Sequence, residues 1–340
     1  MKLSIHSHQL PLARPFTISR GTLTSQDAVV VRIEHEGCEG LGETTANPYY
    51  GHTVDSLIAS VEKARPLVEQ FEFGRPEELW NRLVETLDGD MFATCAIDVA
   101  LHDLFGRLQG KKCFEVWGLD GSLICDSSYT IAIDSIDVMV EKLHEQPDWP
   151  TYKIKLGKDN DLEMIRRLRQ ETDAVFRVDA NCAWTAEETI EKSQALEALG
   201  VEFIEQPLPA DAPEDEKVRA YEQSALPLIA DESCLVPEDV ALCNGKFHGI
   251  NIKLCKCGGL TPGLAMLKEA RFLGMKTMVG CMIESSIGIS ANAQLLPLLD
   301  YADLDGAILL KEDPATGINL KNGTITWSEL PGCGSALRNN

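Results

Sequence analysis

The 340-residue chain has no CxxC pair, no glycine fingerprint of the G-x-G-x-x-G kind, and no apolar run long enough to cross a bilayer. Each absence excludes something. Eleven cysteines are scattered from Cys38 to Cys333, with only Cys255 and Cys257 close together, so no zinc site of paired thiolates is expected. Their odd number and scatter read instead as reduced, mostly buried thiols in a cytoplasmic protein. The missing glycine fingerprint argues against an open doubly wound sheet that binds a dinucleotide. The opening MKLSIHSHQLPLARP lacks the uninterrupted apolar core of a signal peptide. Cations are scarce, 31 Lys and Arg against 53 Asp and Glu, for a net charge of -22. Phosphates would be repelled, so nucleic acid and anionic membranes are excluded as partners. A small substrate responds to local charge and is not constrained by that total.

What is present is an ordinary globular composition, 44% apolar and 25% charged, in a chain long enough for a large barrel plus a modest second domain. Short apolar runs, each closing on a polar residue or glycine, recur through the second half. They include YKIKLG (152–157), VFRVDAN (175–181), VEFIEQP (201–207), LIADES (228–233) and GINIKLCKCGG (249–259), followed by MKTMVGCMIESS (275–286) and YADLDG (301–306). The steps are 24 (155 to 179), 26 (179 to 205), 26 (205 to 231), 22 (231 to 253), 27 (253 to 280) and 23 (280 to 303). Between the runs lie helical patterns such as DLEMIRRLRQ, TAEETIEKSQALEALG and PGLAMLKEARFLG, with apolar residues three and four apart. Strand and helix alternating at a steady step predict βα repeats that close a parallel barrel.

The first third reads differently. LARPFTISRGTLTSQDAVVVRIEHEGCEGLGET predicts an antiparallel meander, and three helical stretches follow it. The expected organisation is an α+β capping domain over 1–118 and a barrel over 119–312. A segment over 313–340 is expected to pack back on the cap.

Barrel enzymes place their chemistry at the C-terminal ends of the strands. Successive strands here deliver Lys153 and Lys155, then Asp179, Glu205 and Asp231, then Lys253. Three carboxylates at one mouth repel one another and are costly to desolvate. A hard divalent cation resolves both problems, because oxygen ligands from separate strands leave octahedral positions open; Mg²⁺ is the natural candidate, one per subunit. Asn181 and Gln206, beside the acids, are expected to donate hydrogen bonds to them. Lys155 and Lys253, on the second and sixth strands, would face each other across the mouth as acid/base groups. A carbon acid between them would lose a proton to one and regain it from the other. Lys153 is expected to press a like charge on Lys155 and lower its proton affinity. Lys256 competes with Lys253 but lies nearer the Gly258–Gly259 turn.

These residues resemble the enolase superfamily in its muconate-lactonizing subgroup. The matches are K-I-K (153–155), V-D-A-N (178–181), I-E-Q-P (204–207), A-D-E-S (230–233) and N-I-K-L-x-K-x-G-G (251–259). The resemblance covers essentially the whole chain and implies a modified (β/α)7β barrel of the TIM type under an α+β cap. It also implies Mg²⁺ on Asp179, Glu205 and Asp231, with lysines exchanging an α-proton through an enolate.

Subgroup members include cycloisomerases, o-succinylbenzoate synthases, N-acylamino acid racemases and dipeptide epimerases. The last strand separates them: YADLDG places Asp303 and Asp305 two apart, similar to the D-x-D with which dipeptide epimerases hold a free α-ammonium. The substrate contacts so implied are Lys153, Asp303, Asp305, Arg20, Tyr50, Thr130, Cys281 and Met282. Segments 15–22 and 44–53 are expected to close over the mouth. Arg20 is the nearby cation able to meet an acidic second side chain, which makes L-Ala-D/L-Glu, a peptidoglycan-type dipeptide, the first expectation. An N-acylamino acid racemase, an o-succinylbenzoate synthase and a catalytically silent metal- or peptide-binding barrel stay open as alternatives, as does homo-oligomerisation.

Overall fold

In the computed structural model, which describes residues 1–338, three long strands form the predicted meander. Strands β1 (Lys2–Ile18), β2 (Gly21–His35) and β3 (Cys38–Thr45) pair antiparallel in that order. Helices α1 (Val54–Gln70), α2 (Glu77–Thr86) and α3 (Met91–Leu108) follow. Four successive residues of β2, Ala28 to Val31, are buried on both faces of the sheet. Val29 and Val31 pack with Ala96 and Ala100 of α3. Val30 packs on the other face with Leu41, Ile287 and Ala315. A strand covered on both sides reads as an unbroken apolar run, which is why V-V-V stands out. Gly40 and Gly42 let α3 lie directly on β3, since a Cβ at either would stand 2.0 Å from the carbonyl oxygen of Ala100 or Ala96.

The barrel holds eight parallel strands in sequence order, which are β4 (Tyr129–Ile131), β5 (Thr151–Lys155), β6 (Val175–Asp179), β7 (Val201–Glu205), β8 (Leu228–Ala230), β9 (Gly249–Ile252), β10 (Lys276–Gly280) and β11 (Tyr301–Asp303). A parallel bridge between Ser127 and Ala302 closes the ring. Helices connect consecutive strands, but β11 runs only into a short 3-10 turn, Gly306–Leu309. The architecture is therefore the mixed α/β barrel with a capping sheet that the repeat predicts. The helix in TAEETIEKSQALEALG runs from Ala186 to Ala198, with Thr185 and Glu188 forming the capping box. Gly200 takes the left-handed conformation just past its end, at φ +73°.

Two strands are shorter than their apolar runs. β9 ends at Ile252, and Leu254–Cys257 forms a turn of helix. β11 ends at Asp303, so Asp305 lies past the strand. Residues after 312 contact the cap, where the Cys113 amide donates to the Gly332 carbonyl and the Cys333 amide to Asp103. They contact the barrel as well, where the Ser127 amide donates to the Gly323 carbonyl. Among the described residues no helix is long and apolar enough to cross a membrane. All eleven cysteines are free, seven of them buried.

Candidate active site and metal centre

The C-terminal ends of β5 to β9 converge on one buried cluster of charge. Ile154 points into the core while Lys153 and Lys155, on the opposite face of β5, point inward. One oxygen each of Asp179, Glu205 and Asp231 lies within 4.8 Å of the others, the one such group of metal-ligand type among the described residues. Lys153 Nζ is 3.1 Å from Glu205 Oε1, 3.2 Å from Asp179 Oδ2 and 2.8 Å from Asp303 Oδ2. Lys155 Nζ donates to the same Asp179 Oδ2 at 2.6 Å. Lys253 Nζ donates to Asp231 Oδ2 at 2.8 Å, and Lys256 Nζ to Asp231 Oδ1.

The electrostatics follow from that geometry. Burial works against ionisation of Asp179, but Lys155 and Lys153 outweigh it and hold the carboxyl below its usual range. Asp231 is held low in the same way by Lys253 and Lys256. Glu205 is left short, because burial and the charge of Asp179 raise it to about 7. Its Oε2 lies 2.9 Å from Lys153 Nζ, yet off the donor direction, so it has no hydrogen bond. A buried oxygen without a donor, between two ionised acids, fits a divalent cation that takes one oxygen from each residue.

Several expectations need correction. Lys153 does not press a bare like charge on Lys155, since three carboxylates surround it and the two ammonium groups meet on one Asp179 oxygen. Lys153 borders the substrate cleft, as expected, while being 1% exposed and engaged with those acids. Lys253 stands at the mouth as expected, paired with Asp231, whose charge outweighs burial and favours the protonated form. Asn181 reaches Asp179 through its backbone amide at 2.9 Å and not through its side chain. Gln206 accepts the Asp231 and Ser233 amides on Oε1, so it fixes the loop carrying Asp231 and donates nothing to the acids. Both residues sit at positive φ, +45° and +34°, which turns the chain sharply at the strand ends.

Asp303 and Asp305 do come together, although only Asp303 is on the strand. Thr130 Oγ1 lies 3.2 Å from Asp303 Oδ1 and 3.3 Å from Asp305 Oδ1, and the Thr130 amide donates to Asp305 at 2.6 Å. Burial opposes the charge on Asp303, but Lys153 outweighs it and keeps Asp303 ionised. Asp305 makes no direct ion pair, so burial and the charge of Asp303 outweigh the more distant Lys153 and raise it to about 7.

Lys155, Lys253, Asp303 and Asp305 border one cleft of about 730 Å³. Tyr50, Thr130, Cys281 and Met282 line it too. The meander turn and the 44–53 segment form its outer wall, held to the barrel by a bond from the Ile133 amide to the Thr17 carbonyl. Arg20 reaches the cleft but is already paired, with Nη1 2.8 Å from Glu232 Oε1 and its guanidinium 4.3 Å from the Tyr49 ring centre.

Three residues escaped the sequence reading. Asn251 donates to Glu205 Oε1 at 2.9 Å, and its signal was its place two before Lys253, on the same strand face. Gly280 leaves room for it, since a Cβ there would meet the Asn251 amide at 2.7 Å. Glu232, next to Asp231, partners Arg20. Ser128 donates to Asp303 at 3.0 Å and carried no signal, lying just before a three-residue strand.

Residues 1–118 match the family described as Mandelate racemase / muconate lactonizing enzyme, N-terminal domain, and residues 137–340 match Enolase C-terminal domain-like. The chain belongs to the enolase superfamily. Within that superfamily it is 50% identical to an L-Ala-D/L-amino acid epimerase of Flavobacterium johnsoniae, over 99% of this chain and 100% of the relative. It is 40% identical to an L-Ala-D/L-Glu epimerase of Bacteroides thetaiotaomicron, over 98% of this chain and 87% of the relative. A solved dipeptide epimerase of Enterococcus faecalis, complexed with Mg and the dipeptide L-Leu-L-Tyr, matches with a TM-score of 0.90 at 29% identity. That match spans 98% of this chain and 99% of the solved one.

Proposed function

We propose that this member of the enolase superfamily is a Mg²⁺-dependent dipeptide epimerase that inverts the α-carbon of the C-terminal residue by two-base proton transfer. One observation carries the reading. Lys155 and Lys253 stand on strands four apart in an eight-stranded ring, flank the acid triad, and share their cleft with a pair of carboxylates at Asp303 and Asp305. A free α-ammonium needs such carboxylates; an acylated amino group does not.

Asp179, Glu205 and Asp231 would hold the cation. When bound, Mg²⁺ supplies the positive charge that balances these three acids and meets the substrate carboxylate where negative charge builds. A cation on Asp231 would compete with the pairing between that carboxylate and Lys253. One lysine then takes the α-proton through Nζ, and the other delivers a proton to the opposite face of the same carbon. Asp303 and Asp305 orient the substrate through its ammonium group, and the cap turn and the 44–53 segment keep water from the cleft.

L-Ala-D/L-Glu is the first substrate, because Arg20 uses only Nη1 on Glu232 and has further N–H groups for a side-chain carboxylate. A broader preference is the second reading, favoured by Glu232 itself, which already neutralises Arg20. Incubation with Mg²⁺ in D₂O and a dipeptide library, read by mass spectrometry, tests both. Deuterium is expected at the second α-carbon, and Lys155→Ala or Lys253→Ala is expected to abolish it for at least one enantiomer. Exchange in N-succinyl amino acids but in no dipeptide, or an Asp305→Asn variant of full activity, would falsify the epimerase reading. Comparable rates for L-Ala-L-Glu and L-Ala-L-Leu favour the broad reading; exchange in L-Ala-L-Glu alone favours the narrow one.

A further inference from the structure

Lys256 has no part in the proposed proton transfer, yet it is among the most thoroughly engaged side chains of the barrel. It is 3% exposed and does not border the cleft. Its ammonium meets three oxygens, the Asp231 carbonyl at 2.7 Å, Asp231 Oδ1, and the Cys234 carbonyl at 3.5 Å. An ammonium has three hydrogens, so nothing remains for substrate. The two lysines of N-I-K-L-C-K thus divide one carboxylate. Lys253, at the end of β9, takes Oδ2 on the cleft side. Lys256, one helical turn on, takes Oδ1 from behind.

The platform under Lys256 is rigid and belongs partly to the cap. Its short helix ends at Gly258, where φ is +98° and a Cβ would lie 2.9 Å from Met91 Sδ. Trp80 of α2 donates to the Gly258 carbonyl at 3.0 Å. The next residue, Gly259, also at positive φ, abuts Asp98 of α3, whose carboxylate a Cβ would meet at 2.3 Å. Two cap helices therefore wedge the turn that carries Lys256 against Asp231.

We infer that Lys256 is a positioning residue that withholds Oδ1 of Asp231 from a bound cation, leaving Asp231 a one-oxygen ligand and biasing the site toward Mg²⁺ over Ca²⁺. The inference rests on the reading that the acid triad holds a divalent cation. Mg²⁺ takes six ligands in near-ideal octahedral geometry, whereas Ca²⁺ takes six to eight oxygens and often both oxygens of a carboxylate. Recruiting Oδ1 means breaking a buried, charge-assisted bond between Lys256 and Asp231. That obstacle falls on the larger ion.

The test is isothermal titration of the full chain, without substrate, with MgCl2 and with CaCl2, for wild type and Lys256→Met. The ratio of the two Kd values cancels any general loss of affinity, and circular dichroism checks the fold. We expect Lys256→Met to shift that ratio in favour of Ca²⁺ by roughly tenfold or more, about 1.4 kcal/mol. An unchanged ratio, with both ions still bound, overturns the role of Lys256 while leaving the metal reading intact. Wild type that binds neither ion overturns both. A crystal structure of the wild-type protein with Mg²⁺ decides the matter without a variant. One Asp231 oxygen on the ion, with Lys256 still on Oδ1, supports the inference; both oxygens on the ion overturn it.

Discussion

The barrel mouth and the seam between cap and barrel both bury carboxylates, but they surround them with different partners. At the mouth, Asp179, Glu205 and Asp231 meet the lysines Lys153, Lys155, Lys253 and Lys256. At the seam, Glu43 of β3 accepts the Ser285 and Gly288 amides at 2.9 and 3.0 Å, at the start of the helix Ser286–Ala293. Glu284 accepts the Met282 amide and Asn292 Nδ2, each at 3.0 Å, and Asp98 accepts the Thr261 amide and hydroxyl. Neutral donors satisfy lone pairs without neutralising charge, so burial raises all three seam acids, Glu284 to about 8. Lysines do the opposite for Asp179 and Asp231 and keep them ionised. Burial is common to both regions. The charge of the partner separates a dock from a site able to exchange ammonium groups for a metal ion.

The largest expected effect breaks the mouth alone. Glu205→Gln should lower turnover by ~10²–10³ or more. Its cation-free melting temperature should stay within about 4 °C of wild type, because the amide oxygen keeps the bonds from Lys153 and Asn251 while the repulsion with Asp179 is lost. Normal turnover, or a collapse of the melting temperature, would place Glu205 with the seam acids. Next comes the seam. Glu43→Ala strands the Ser285 and Gly288 amides and the Ser285 hydroxyl, and urea unfolding should show a loss of roughly 3–5 kcal/mol. Mg²⁺ affinity, measured on the folded protein, should be unchanged.

Asp305 sharpens the comparison, as a mouth residue with seam-like partners. Below about 7 it is protonated and attracts an ammonium poorly. For an unblocked dipeptide, kcat/KM should therefore rise about tenfold between roughly pH 6 and 8, and Asp305→Asn should flatten the rise. A profile that Asp305→Asn leaves unaltered would remove Asp305 from substrate binding.

The smallest effect is a slope. Glu284 keeps its proton in the folded state up to about 8 and loses it in the unfolded chain near its ordinary value of 4.5. The folded state binds more protons across that window, so stability falls as pH rises through it and levels off above. Glu284→Gln should remove up to ~1.4 kcal/mol per pH unit from the slope, read from urea midpoints at several pH values. An identical slope in the variant would show that Glu284 is ionised throughout.

Most of the mouth was legible because its residues follow the barrel's own repeat. Asp179, Glu205 and Asp231 stand 26 residues apart (179 to 205 and 205 to 231), each at or just past a strand end where the next helix has yet to begin. The seam was not legible. Glu43 and Ser285 are separated by 242 residues, and no local pattern relates a capping strand to the helix it will meet. Arg20 read as a free cation because its partner, Glu232, lies 212 residues away. Lys256 read as a rival to Lys253 for a related reason. Spacing brings both to one end of the barrel, while their partition between two oxygens depends on the turn at Gly258 and the cap helices behind it.

The sequence by itself determined the alternation of strand and helix, the inward face of each strand, and hence the set of lysines and acids at one mouth. Those are properties of periods two and 3.6, which the chain carries locally. Tertiary structure alone decided which oxygen meets which ammonium, which acid is left without a donor, and which carboxylates remain charged. Those outcomes depend on closing the ring and seating the cap, and both join residues that no period relates.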